Sequence, residues 1–143
     1  MIYFVIGPPS AGKSYFIKHA FQDAVVVDLY DFQWDGMSIQ DVADSYKAAE
    51  DALVSAVQNN KDKTIVFEHT LLKAERRKPY IEAVRKVSDE PIICLLFNPD
   101  EGTYQWLCRK RGISVNMMAF DILEKPDVEE GFQAVYEINP RIR

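Results

Sequence analysis

Cysteine and histidine are scarce: two of each, Cys94, Cys108, His19 and His69, in 143 residues. That is too few, at the wrong spacing, for a zinc site or a disulfide framework, so the thiols are read as reduced core residues. No apolar run approaches the ~20 residues that cross a bilayer. The opening segment has no basic residues and runs straight into Gly7-Pro8-Pro9, unlike a signal peptide. Positive charge is also short, with 17 Lys plus Arg against 22 Asp plus Glu and a net −5. That balance argues against a broad basic face for coating nucleic acid or anionic membrane, although a small pocket can still grip one phosphate. Repeats, low-complexity tracts and Pro/Gly/Ser linkers are absent, so residues 1–143 are read as one soluble cytoplasmic domain.

The apolar material, 48% of the chain, falls into short runs. Residues 2–6, 24–27, 64–67 and 92–97 are nearly continuous in apolar side chains, the signature of strands buried on both faces of a parallel sheet. Residues 132–138 form a fifth candidate strand. Helical patterns separate them at 13–21, 40–59, 79–87, 101–111 and 116–123. In the second, Val42, Tyr46, Ala49, Leu53 and Val57 mark one helical face. Pro79 is read as a first-turn residue, and Gly112 as a C-terminal stop. Strands alternating with helices at these lengths predict a three-layer α/β sandwich.

The most specific signal is Gly7-Pro8-Pro9-Ser10-Ala11-Gly12-Lys13-Ser14, a complete G-x-x-x-x-G-K-[ST] phosphate loop between a strand and a helix. The glycines let the backbone curl so that its N–H groups face phosphate oxygens at a helix N-terminus. Lys13 is expected at the β- and γ-phosphates of a nucleoside triphosphate, and the Ser14 hydroxyl on Mg²⁺.

Ligands of parallel sheets bind beyond the carboxyl ends of the strands. The second strand ends in Asp28-Leu29-Tyr30-Asp31, and Asp31 is the candidate base for an attacking hydroxyl. Asp28 is read more readily as a turn cap. The third strand ends in Phe67-Glu68-His69-Thr70, where Glu68 is the candidate second Mg²⁺ contact and His69 the better candidate for a hydrogen-bonded structural residue. Arg109-Lys110-Arg111-Gly112 closes a helix. Arg111, with Arg109, is the candidate cation that folds over a transferring phosphoryl group, and Gly112 is a possible hinge. Arg76-Arg77-Lys78 is read as a solvated face, and the acidic stretches 41–51 and 127–130 as solvated charge, or docking faces if the domain works through a partner.

On these residues the chain resembles small P-loop kinases of the phage polynucleotide 5′-kinase type, and more distantly the zeta-toxin kinases. The resemblance runs through residues 7–14, Leu72 with Glu75-Arg76-Arg77, and Arg109-Lys110-Arg111-Gly112 with Val115. It implies a P-loop NTPase sandwich with a five-stranded, mostly parallel sheet of order 2-3-1-4-5. It also implies ATP and Mg²⁺ as cofactors, Lys13 and Ser14 serving them, Asp31 as base and Arg111 as lid arginine. His69 stands where that family has an aspartate, with Glu68 one position early; Leu71, Trp34 and Leu107 stand where it has an asparagine and two cations. The expected activity is transfer of the γ-phosphate of ATP, releasing ADP, to an acceptor hydroxyl, foremost a nucleic-acid 5′-hydroxyl. The alternatives are a small-molecule kinase for a nucleoside, sugar or antibiotic, and a non-catalytic nucleotide-binding module. Adenine contacts at Asn139-Pro140 are a fold-level analogy.

Overall fold

A computed structural model describes residues 1–115 and 117–139. Five strands, β1 (Ile2–Ile6), β2 (Val25–Asp28), β3 (Ile65–His69), β4 (Ile92–Phe97) and β5 (Ala134–Ile138), alternate with helices α1 (Lys13–Ala20), α2 (Ile39–Asn59), α3 (Ala74–Arg85), α4 (Glu101–Lys110) and α5 (Met118–Asp121). Two 3₁₀ turns, Leu29–Phe32 and Val128–Glu130, follow β2 and precede β5. The strands form one sheet of order β2-β3-β1-β4-β5, every pairing parallel. This is the expected α/β sandwich with the expected strand order.

The central strands are apolar throughout because helices cover both of their faces. On one face Phe4, Ile6 and Phe67 pack with Ala49, Leu53 and Val57 of α2 and with Tyr80, Ile81 and Val84 of α3. On the other, Val5, Val66 and Leu95 pack with Ile17 of α1. The alternation along β3 matters for function: Phe67 belongs to the α2/α3 face and Val66 to the α1 face, so Glu68 points toward α1 and His69 toward α2 and α3. Both cysteines are free and buried, as expected, and burial pushes the Cys94 thiol up to about 12.

Local signals set the helix ends. Ser38 and Asp41 form a capping box at the start of α2, Asp41 N–H donating to Ser38 Oγ at 3.0 Å and Ser38 N–H to Asp41 Oδ2 at 3.2 Å. After α4, Ile113 N–H reaches Cys108 O and Gly112 N–H reaches Arg109 O, with Gly112 at φ 69°. That is a Schellman stop, as the glycine predicts.

Two sequence expectations need correction. Helix α3 begins at Ala74, so Pro79 lies inside it rather than in its first turn. And Arg77 is fully buried rather than solvated. The two corrections share a cause. Arg77 donates through Nε and Nη2 to Glu130 (2.7 and 3.1 Å) and through Nη1 to the Leu71 carbonyl (2.8 Å). This three-point anchor holds the first turn of α3 in place, and tertiary bonding overrides the local preference of proline. Glu130 and Asp127, read as surface charge, are thereby structural: Glu130 Oε2 also accepts Asp127 N–H at 2.9 Å. The predicted helix 116–123 is the shorter α5; Asn116 lies outside the described residues, as does Pro140 of the adenine-contact analogy.

Candidate functional site

Between β1 and α1 the chain takes the curled path that the phosphate-loop pattern demands. Gly7 sits at φ +147°, and a Cβ there would run into the Phe97 carbonyl of β4. Gly12, the N-cap of α1, is left-handed at φ 96° and no side chain caps the helix. The first N–H groups of α1 therefore face outward, open to an anion. Gly7 N–H is tied to the Thr70 carbonyl at 3.1 Å, which locks the loop to the end of β3. Lys13 is almost completely buried, with Nζ donating to the Gly7 and Pro8 carbonyls (2.5 and 3.3 Å). Burial lowers the ammonium to about 8, against the opposing pull of Glu68 and Asp28.

Ser14, one residue on, donates its hydroxyl to Glu68 at 2.7 Å to Oε2 and 3.1 Å to Oε1. Burial raises the Glu68 pKa, its bond to Ser14 works against that, and Asp28 adds to it. The hydroxyl and carboxylate predicted as metal contacts thus meet, because strand alternation aims Glu68 at the start of α1. Among the described residues no three His, Cys, Asp or Glu side chains gather into a metal cage. One hydroxyl and one carboxylate beside a phosphate loop still fit Mg²⁺, which keeps several waters and takes phosphate oxygens as ligands.

Asp28 caps the turn that follows it, its Oδ1 accepting Tyr30 N–H at 3.0 Å. Burial raises its pKa, and neighbouring Asp31 adds to the rise. Asp31 lies within that turn and is exposed; its charge reaches both Asp28 and Glu68. Tyr30, which the sequence did not single out, feels Asp28, Glu68, Tyr46 and Arg111. It stands where the acidic strand ends, α2 and the end of α4 act together on one side chain.

The cations closing α4 diverge. Arg109 bonds back to the Gln105 carbonyl at 3.4 Å, Lys110 lies 4.8 Å from the Trp106 ring centroid, and Arg111 ends α4, exposed. Arg111 alone of the three is among the charges acting on Tyr30. Trp34 is 60% exposed.

His69 is buried on the α2/α3 side of β3. Its Nε2 lies 3.3 Å from Tyr80 Oη and its Nδ1 3.4 Å from Thr70 Oγ1, and its ring packs against Tyr46 and Tyr80. Burial, with Lys13 and Arg76 nearby, lowers it to about 3, so it is neutral at physiological pH. These rings line a cavity of about 560 Å³ between α2, α3 and the β3–α3 loop. The sequence showed no such platform, because its members come from three elements.

No protein-family model matches the sequence, and no curated protein matches it. Solved structures do share the fold. A sugar kinase from Janibacter sp. HTCC2649 superposes with a TM-score of 0.67 at 12% identity, over 96% of this chain and 84% of that one. A gluconokinase from Sinorhizobium meliloti 1021 gives 0.66 at 13% identity, covering 96% and 81%. A putative kinase from Chloroflexus aurantiacus gives 0.66 at 8%, covering 96% and 86%. The chain shares the fold of these proteins over nearly its whole length.

Proposed function

We propose that this protein is a Mg²⁺- and ATP-dependent phosphotransferase acting on a hydroxyl of a small molecule. The observation that carries the reading is the contact of Ser14 with Glu68 directly beside the phosphate loop. A strand-to-helix glycine turn with no ligand has no reason to bring a buried carboxylate onto that hydroxyl. In this reading the amides of residues 7–14 hold the phosphates, and Lys13 leaves the Gly7 and Pro8 carbonyls for the β- and γ-phosphate oxygens. Ser14 and, through water, Glu68 would hold Mg²⁺, which would supply positive charge against the β- and γ-phosphates. Asp31 orients the acceptor hydroxyl and takes its proton as the new oxygen–phosphorus bond forms and the bond to the ADP oxygen breaks. Arg111, assisted by Arg109, closes over the transferring group, where cationic charge stabilises the transition state.

A small acceptor is favoured over a nucleic-acid 5′-hydroxyl by the cavity of about 560 Å³ lined by Thr70, by the net charge of −5 and by the absence of cations at Trp34 and Leu107. The sugar kinase and gluconokinase that share the fold support the same choice. The test is transfer of labelled γ-phosphate from ATP to a panel of small alcohols and to a 5′-hydroxyl oligonucleotide, with Lys13→Ala as control. Lys13-dependent labelling of a small alcohol is the expected result. Labelling of the oligonucleotide alone would reinstate the nucleic-acid acceptor. ATP binding without any transfer would leave a nucleotide-binding module.

A further inference from the structure

We propose that the cavity between α2 and α3 is the acceptor subsite, shaped for an uncharged hydroxyl compound that carries a flat ring and is about the size of a nucleoside. The proposal rests on the phosphotransferase reading for its role as acceptor subsite, while the ring preference stands on the cavity itself. Its volume, about 560 Å³, is that of sites for small organic ligands, which span ~300–1,000 Å³. Its place is set by Thr70, which lines it and whose carbonyl accepts the Gly7 N–H. A ligand there sits one residue from the phosphate loop.

The lining selects the ligand. Tyr46, His69 and Tyr80 form an aromatic wall, with ring centroids 5.6 Å (Tyr46–His69) and 5.3 Å (His69–Tyr80) apart. Leu72 and Ile122 add apolar surface. Tyr80 Oη is already bonded to His69 and to the Tyr46 carbonyl (3.3 Å each), and both His69 and Tyr80 are buried. The half-buried Tyr46 ring is therefore the surface on which a flat ring would stack, and the wall offers few partners for the hydroxyls of a bare polyol. The lining charges are Lys47, Lys73 and Arg76 against Glu50 and Glu75, an excess of one positive charge. Lys47 is held by Glu50 and Asp51 at 2.8 and 3.1 Å, and Arg76 lies 6.0 Å from the centre of the Tyr46 ring. One excess positive charge is fewer than the several cations that grip a phosphorylated or polyanionic acceptor.

The backbone gives independent support. Leu71 is left-handed, φ 42°, a conformation that costs a non-glycine residue ~1 kcal/mol or more and that persists where the surroundings enforce it. Here the enforcing group is the buried Arg77, bonded to the Leu71 carbonyl. Leu72 is fixed in turn by Glu124 N–H on its carbonyl at 2.8 Å. Both leucines line the cavity, so its mouth is held rigid at a conformational cost, as at ligand sites.

The experiment is calorimetric binding of thymidine, phenyl β-glucoside, gluconate and thymidine 5′-monophosphate, each with and without saturating ADP. The two uncharged ring compounds should bind, and the two anions should bind at least about tenfold more weakly. Tyr46→Ala should weaken thymidine about tenfold while ADP affinity is unchanged. Leu72→Glu, outside any helix, should do the same and serves if Tyr46→Ala fails to fold. Preference for gluconate or the monophosphate, no binding of either ring compound, or ring binding indifferent to both variants overturns the proposal. Thymidine bound in the cavity without phosphate transfer would sink the phosphotransferase reading and leave the ring preference standing. Transfer to gluconate with no ring compound bound would do the reverse.

Discussion

Lys13 carries a positive charge that its own buried position disfavours. Its ammonium titrates at about 8 because burial disfavours the charged form. Triphosphate oxygens would restore that charge, so nucleotide binding near pH 8 should take up protons. ATP affinity should fall as pH rises through 8, since a neutral amine gives the phosphates nothing to pair with. Calorimetry of ADP binding at pH 8 in two buffers of different ionisation enthalpy measures the uptake; equal heats in both would refute it. Glu68 shows the opposite tendency. Its raised pKa means that acidification removes the carboxylate before an ordinary glutamate would protonate. Glu68→Gln should therefore raise the Mg²⁺ concentration needed for half-maximal turnover by about tenfold or more while the fold is kept, read from a metal titration of the reaction. At this scale the sequence was most legible. Residues 7–14 showed the phosphate-loop pattern by spacing alone, and Glu68 stood out by its place at a strand end. The aromatic wall was silent, since Tyr46, His69 and Tyr80 read as core or turn residues until three elements bring them together.

Elements carry the next level of constraint. The strands were readable because each buried strand is a continuous apolar run, their order was implied only by the family resemblance, and α4 ended where its glycine said. The start of α3 was not readable: Pro79 is a strong local signal, whereas the Arg77 anchor depends on Glu130, 53 positions away in sequence. Removing one member of a buried ion pair leaves its partner uncompensated, so Arg77→Ala should cost ~3–5 kcal/mol. Chemical denaturation measures that cost, and a loss below 1 kcal/mol would show that α3 does not depend on the anchor. Arg111, by contrast, ends α4 in solvent. Arg111→Ala should leave stability and ATP affinity unchanged and lower kcat by a factor of ~10²–10³. Loss of ATP binding in that variant would move Arg111 from the lid to the nucleotide site.

For the whole molecule, net charge and the size of the cavity decide more than any single residue. A chain of net charge −5 with a cavity sized for a small molecule has little to gain from counterion release. Turnover of a small neutral acceptor should vary less than about threefold between 50 and 200 mM salt, whereas six or more phosphate contacts would cost ~10³ or more in binding. Kinetics at the two salt concentrations separate the cases, and a steep salt dependence would return the nucleic-acid end as acceptor.

The position of β1 also bears on how the chain is made. Its partners in the sheet are β3 and β4, so Ile2–Ile6, once synthesised, waits for residues 65–69 before its first neighbour exists. At ~5–20 residues per second that interval lasts roughly 3–13 s. Throughout it an apolar, uncharged five-residue strand is exposed to any other unpaired edge in the cell. The geometry that places the phosphate loop at the centre of the sheet thus leaves the nascent chain with a period of vulnerability to aggregation.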